Sequence, residues 1–375
     1  MPIASSSFAD SKRHFLVLDA LRGIAALMVV LFHMLEIYSG GDHTQQMINH
    51  GYLAVDFFFM LSGYVMAHAY DDRWHQMTLT DFFKRRIIRL HPMIILGMTF
   101  GALCFYSSAS ELFPKVADTT FWNLIFILII GYTLIPVPVS MDIRGWNEMH
   151  PLNGPAWSLF LEYIANVLHA LILRKLSKVV LSVLVFIAAL ALLHLALTSP
   201  HGDIIGGWSL EPEQLRIGFT RLLFPYMAGM LLRRLVQPTE KGNTFLMASL
   251  LLVLVLSVPR IGGHTHLWAN GLYDALVVIL IFPAIVFLGA ISKVSSDLTQ
   301  KTCTFLGNIS YPLYIIHFPF AYVYYAWVSN NKVSLSGGLG VGILVMVFMI
   351  LLSWLSLKWY DEPVRKWLAG RFMRR

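Results

Sequence analysis

The sequence predicts an all-α membrane helix bundle, with about ten transmembrane helices plus one re-entrant or outer-face segment. Three observations predict it. The 375 residues are 57% hydrophobic and only 13% charged, where soluble chains carry about 25% charged residues. The mean hydropathy is +0.65. Apolar runs of spanning length recur along the chain.

In order, polar residues 1–14 form a cytoplasmic segment without a cleavable signal. Apolar runs follow near 15–38, 51–70, 87–107, 121–139, 157–174, 179–198, 218–236, 244–258, 268–291, 303–328 and 337–360. Gly and Pro scattered through them are tolerated in membrane helices. If every run crosses with the N-terminus inside, Arg174, Lys175 and Lys178 fall outside, against the positive-inside bias. If 121–139, with Pro136 and Pro138, does not cross, the basic clusters fall inside. The count is then 21 Lys and Arg inside, Lys12, Arg13, Arg374 and Arg375 among them, and six outside, namely Lys115, Arg144, Arg216, Arg221, Arg260 and Lys332, with Arg22 within a span. The expected organisation is one integral domain over 15–360 and a cytoplasmic tail over 361–375. That tail leaves no room for a soluble catalytic domain. Both termini are expected in the cytoplasm.

The net charge of +7 is accounted for by these short basic patches. No nucleic-acid motif accompanies them, so a nucleic-acid partner is not expected; the bilayer is. Cys104 and Cys303 are too few for a disulfide framework or a thiolate metal site. "HTH" at 264–266 lacks a third ligand, so no metal is expected.

The first span, "VLDALRGIAALMVVLFHM", carries Asp19, Arg22 and His33. A central Arg costs about 2.5–3.5 kcal/mol on insertion scales, so intramembrane charge marks function. Arg22 and His33 are eleven residues apart, about 20° past three full turns, and share a helix face about 16.5 Å apart along the axis. Asp19 and Arg22 are neighbours at i,i+3. By span direction, Asp56 in the second span and Glu162 in the fifth lie at the depth of His33. A carboxylate beside an imidazole fixes its tautomer and suits it to general-base work. At the inner end of the third span, "FFKRRIIRLHP", Arg86 and Arg89 share a face at i,i+3 and could fork a phosphate. A long donor with an anionic head inside and a reactive end near His33 fits this layout. Coenzyme A thioesters have that shape.

The chain resembles acyltransferase family 3, membrane proteins that acylate sugars and related acceptors. The motifs that carry the resemblance run through most of it: Arg22 and His33 in "LDALRGIAALMVVLFH", "VDFFFMLSGYVM" at 55–66, "RRIIR", "WSLFLEY" at 157–163, "LGNISYPLYIIHFP" at 306–319 and "YDEPVRKWL" at 360–368. The resemblance implies about ten core spans, a cytoplasmic acyl-CoA donor (acetyl-CoA first), an essential first-span His and Arg contacts to the donor. His33, Glu162 and Asp56 are then the expected catalytic set. Arg22, Arg86, Arg89 and Ser62 are the expected donor contacts, and Trp157, Tyr311 and His317 the acceptor contacts. His91, before Pro92, departs from the pattern and receives no role. Some relatives carry a fused extracytoplasmic esterase-like domain. None is read here, so delivery to the acceptor falls to this chain or a separate partner.

The expected activity is O-acylation, most simply O-acetylation, of a sugar or an exported or lipid-linked glycan at a bacterial inner membrane. The rival class is a transporter or proton-coupled permease, since intramembrane ionisable groups also mark transport paths. An inverted repeat would favour it, and none is visible. Ser62 and Ser158 lie outside any nucleophile elbow and read as helix-packing residues. Trp146, Trp208 and Trp268 read as interfacial anchors.

Overall fold

The computed structural model describes residues 14–236, 239 and 241–373. Lys12, Arg13, Arg374 and Arg375, counted above on the inner side, lie outside the described residues, as does nearly all of the segment 1–14.

Among the described residues there are helices and no strand. The long elements are α1 (Leu16–Glu36), α2 (Ala54–Tyr70), α3 (Leu79–Leu103), α4 (Phe121–Thr133), α5 (Ala156–Leu171), α6 (Lys178–Thr198) and α7 (Pro212–Leu235). They continue as α8 (Phe245–Ser257), α9 (Leu267–Leu276), α10 (Phe282–Ile291), α11 (Asp297–Asn330), α12 (Leu335–Ser356) and α13 (Glu362–Phe372). Short π segments join α9 to α10 and α12 to α13 without a break. Among the described residues, seven helical stretches are long and apolar enough to cross a membrane, those built on α1, α2, α3, α5, α6, α9–α10 and α12–α13. The chain is an integral membrane protein. Its outward faces agree, for Phe186 and Ile187 on α6, Leu254 on α8 and Leu344 on α12 are exposed. Water would penalise such faces and lipid does not.

The third helix starts eight residues before the predicted run. Thr78 and Asp81 make a capping box there. The Asp81 N–H donates to Thr78 Oγ1 at 3.1 Å and the Thr78 N–H to Asp81 Oδ2 at 3.2 Å. The basic stretch 84–89 is therefore helix, with side chains fixed on definite faces.

The run 121–139 is helical only to Thr133, and Leu134 ends it in the left-handed region at φ 60°. Tyr132, at the end of α4, meets the middle of α3. Its carbonyl accepts from His91 Nε2 at 2.7 Å, and its hydroxyl bonds Thr99 Oγ1 at 2.9 Å. Residues 134–155 then turn back along α3, where Leu152 packs on Gly101 and Asn153 on Gly97.

The bundle is organised on two tight helix pairs. α1 packs along α11, and α2 along α7. At Gly23 a Cβ would run into the backbone of Leu306, and at Gly63 into the carbonyl of Tyr226. Small residues allow such approach where no hydrophobic force pulls helices together in lipid. His14, just before α1, and Arg365, on α13, line one cavity. The two ends of the described chain thus meet on one face, called the near face below.

Candidate active site

The seam between α1 and α11 holds polar groups at two levels. At the near level, Arg22 Nη2 donates to Asp19 Oδ1 at 2.7 Å and Arg22 Nε to Ser310 Oγ at 3.0 Å. Asp19 also holds His14, whose Nε2 lies 2.9 Å from Oδ2. That hydrogen bond raises the His14 pKa above its ordinary value against the opposing effect of burial. These groups open on a cavity of about 310 Å³ lined by Arg22, Arg89, Arg365, Asp19, Tyr311 and Asp361. Arg89 is exposed to this space and has no hydrogen-bond or ion-pair partner among the described residues. Three guanidinium groups, from α1, α3 and α13, line this space, and guanidinium is a group that suits phosphate or carboxylate oxygens.

The other level lies eleven residues further along α1. His33 Nδ1 is 3.0 Å from Glu36 Oε2. Tyr325 Oη donates to the His33 carbonyl at 2.6 Å and to Glu36 Oε2 at 3.1 Å, so α11 fixes both residues. The His317 ring stacks on that of His33 at 5.5 Å between centroids, tilted by 25°, and Phe318 closes the side at 4.8 Å. His317 Nδ1 donates to the carbonyls of Leu313 and Tyr314 at 3.1 and 2.8 Å, which leaves its buried Nε2 without a partner. A carboxylate at Nδ1 of His33 holds the proton there and leaves the lone pair on Nε2, the atom a general base needs.

The structure does not bring Asp56 and Glu162 to His33. Asp56 is taken by Arg221, whose Nη2 reaches Oδ2 at 2.6 Å, with both groups buried. Arg221 also donates to the carbonyls of Tyr52 and Gly206 at 2.9 and 3.1 Å. It is therefore a buried structural cation of α7, not the outer-side residue of the charge count. Glu162 is taken by Arg86 Nη2 at 2.9 Å and by the Ser62 hydroxyl at 2.6 Å. The depth estimate failed for a physical reason. The stretch 134–155 folds back into the bundle and starts α5 deep inside, where Ser158 Oγ bonds Tyr314 Oη at 2.7 Å. Glu162, four residues further along, then sits well below His33.

The fork of Arg86 and Arg89 is not formed either. Arg86 turns to Glu162, and Ser62 goes with it, while Arg89 faces the cavity with Arg22. The proposed acceptor contacts also separate. His317 lies at His33. Tyr311 lines the near cavity and donates to the Leu90 carbonyl at 2.6 Å. The Trp157 ring packs 5.4 Å from the Arg221 guanidinium.

Sequence reasoning missed Glu36, Tyr325, His14 and Arg365. Glu36 was within reach, since it stands at i+3 from His33 as Arg22 stands from Asp19. His264 meets the Thr44 hydroxyl at 3.1 Å, and among the described residues no group of three or more His, Cys, Asp or Glu is placed to hold a metal ion.

The acyltransferase domain of family 3 matches residues 15–358. The chain belongs to that family. Both levels of the α1–α11 seam fall within the matched part, whereas Asp361 and Arg365 lie beyond it. The chain is 36% identical over 163 residues to a protein of Rhizobium radiobacter named protein 2 in the picA locus, covering 42% of this chain and 81% of that relative. It is 21% identical over 373 residues to the O-acetyltransferase OatA of Staphylococcus aureus, covering 95% of this chain and 58% of that relative. The chain therefore spans less than two thirds of the length of this O-acetyltransferase. No solved structure matches it.

Proposed function

We propose that this family member is a membrane O-acyltransferase, an O-acetyltransferase in its simplest form. It would move the acyl group of a cytoplasmic acyl-CoA to a hydroxyl of a sugar or exported glycan. The observation that carries this reading is the α1–α11 seam, with an arginine-lined cavity at one level and the His33–Glu36 pair at the other. A transporter has no need of a tautomer-fixed imidazole above a phosphate receptor. The family match and the name of the Staphylococcus relative support the acyl chemistry.

In this reading the CoA phosphates bind Arg22 and Arg89, and the pantetheine arm follows the seam toward His33. The acceptor hydroxyl loses its proton to His33 Nε2 as its oxygen attacks the thioester carbonyl. The C–S bond breaks, and sulfur leaves with the electron pair and takes the proton from the imidazolium. Glu36 stabilises the imidazolium while it lasts. Ten crossings with α4 dipping in and returning, both termini cytoplasmic, and a bacterial plasma membrane complete the picture.

The test uses purified protein and acetyl-CoA. The protein should bind acetyl-CoA and release CoA slowly to water, and Arg89→Gln should weaken binding by about tenfold, the loss of one charge-assisted contact. A folded wild-type protein that neither binds nor turns over any acyl-CoA would defeat the reading in favour of transport.

A further inference from the structure

The C-terminal helix brings groups to the donor cavity that lie outside the part of the chain matched by the family. Asp361 ends the π segment Leu357–Asp361, and Arg365 stands one turn further on α13. Both line the cavity together with Arg22 and Arg89. π segments shift side chains around a helix and recur at functional sites.

The pair they form is loosely made. Arg365 Nε lies 3.0 Å from Asp361 Oδ2, yet that Nε has no hydrogen bond of acceptable geometry. Asp361 is 1% exposed, and its Oδ1 has no partner at all. A buried carboxylate oxygen without a donor is costly, so the two groups are held together by charge alone. A second carboxylate of the lining, Asp19, neutralises Arg22 through a hydrogen-bonded ion pair at 2.7 Å. Glu362, the remaining carboxylate of the lining, is occupied by Lys358 at 2.6 Å. The cavity thus holds two arginines whose charges are masked by the chain's own carboxylates, with Arg89 left open.

We propose that Arg365 is a third phosphate-binding group of the donor site and that Asp361 is a stand-in anion which the donor's phosphates displace. This rests on the acyl-CoA reading above. Acyl-CoA presents a diphosphate and a separate ribose phosphate, and Arg22, Arg89 and Arg365 approach the cavity from three helices, which suits spaced phosphates better than one. Displacement makes binding an exchange of ion pairs. It also ties α13 to occupancy of the site, since Arg365 must leave Asp361 to reach the ligand.

Phosphoryl oxygens at this face could also come from an anionic lipid headgroup, and the experiment separates the two sources. Calorimetry on the full chain in lipid-free detergent measures binding of CoA and of pantetheine, which lacks phosphate. Arg365→Gln should weaken CoA about tenfold and leave pantetheine unchanged. Asp361→Asn should tighten CoA several-fold, because the competing anion is gone; a merely structural aspartate would give no gain. Unchanged CoA affinity in a folded Arg365→Gln protein, or weaker affinity in Asp361→Asn, overturns the proposal. In nanodiscs containing phosphatidylglycerol, wild type should bind CoA as it does in nanodiscs of neutral lipid. If phosphatidylglycerol weakens CoA binding in wild type but not in Arg365→Gln, the site belongs to lipid and the proposal falls. Arg89→Gln tells this failure from that of the acyl-CoA reading. If it weakens CoA while Arg365→Gln does not, only the role of Arg365 is lost. If neither does, the donor cavity itself is misassigned.

Discussion

His33 is conspicuous in the sequence because an imidazole in an apolar helix must find a partner or a task. Its partner was harder to see. Glu36 stands one turn along the same helix, and the i,i+3 rule that pairs Asp19 with Arg22 finds it equally well; the expectation of a partner from another span hid it. Tyr325 was invisible, since it lies 292 residues away and binds a backbone carbonyl that any residue would offer. Two outcomes follow at this scale. His33→Ala should lower acyl transfer by about 10²–10⁴-fold, the usual weight of a general base, with acyl-CoA affinity preserved; near-normal turnover in a folded variant would remove His33 from the chemistry. Glu36→Gln should lower kcat with KM for acyl-CoA nearly unchanged, because the amide cannot stabilise the imidazolium. A selective rise in KM would instead make Glu36 a binding residue.

At the level of elements, the apolar runs and their order were readable, because hydropathy over twenty residues is a strong signal. Depth was not, because a run does not say whether it begins at the surface. Residues 134–155 decide that for α5, and they are held by polar anchors without periodicity. Arg144 is buried under the Tyr322 ring at 3.5 Å and donates to Ser108 Oγ at 2.8 Å and the Pro151 carbonyl at 3.0 Å. Truncating such a group strands several acceptors, so Arg144→Ala should cost about 3–5 kcal/mol, read as a large fall in melting temperature in detergent. Beside it, Tyr322 Oη donates to both Glu148 oxygens at 2.6 Å. Burial pushes the Glu148 carboxyl up to about 7 despite the nearby Arg144. A carboxyl with a raised pKa favours the folded state when protonated. Its contribution is full below the ordinary carboxyl range, about 4.5, and is lost as pH rises through about 7. The melting temperature of wild type should therefore fall between pH 5 and pH 8 by more than that of Glu148→Gln. Parallel pH curves for the two proteins would show that Glu148 is not the group responsible.

The whole molecule places its two chemical levels at different depths of one seam. The proposed donor cavity is lined by groups from the near face, where His14 and α13 meet. His33 and Glu36 stand at the far end of α1. Arg22 and His33 are separated by about 16.5 Å of helix, so no compact donor serves both levels, whereas an extended thioester does. In the proposed orientation, which rests on the positive-inside distribution of Lys and Arg, the near face is cytoplasmic. Donor and acceptor should then be used from opposite sides without a separate acyl carrier. In sealed vesicles, labelled acetyl-CoA supplied only on the face that carries α13 should label a soluble glycan acceptor supplied only on the other. His33→Ala should abolish that transfer, and Arg89→Gln should raise the acetyl-CoA concentration it requires. The orientation of the protein is read independently by protease removal of a tag fused after residue 375. Label that appears only when donor and acceptor share a compartment would overturn the two-sided arrangement. It would leave the acyl chemistry of His33 standing, because that chemistry depends on the geometry of α1 and α11 and not on which face each substrate enters.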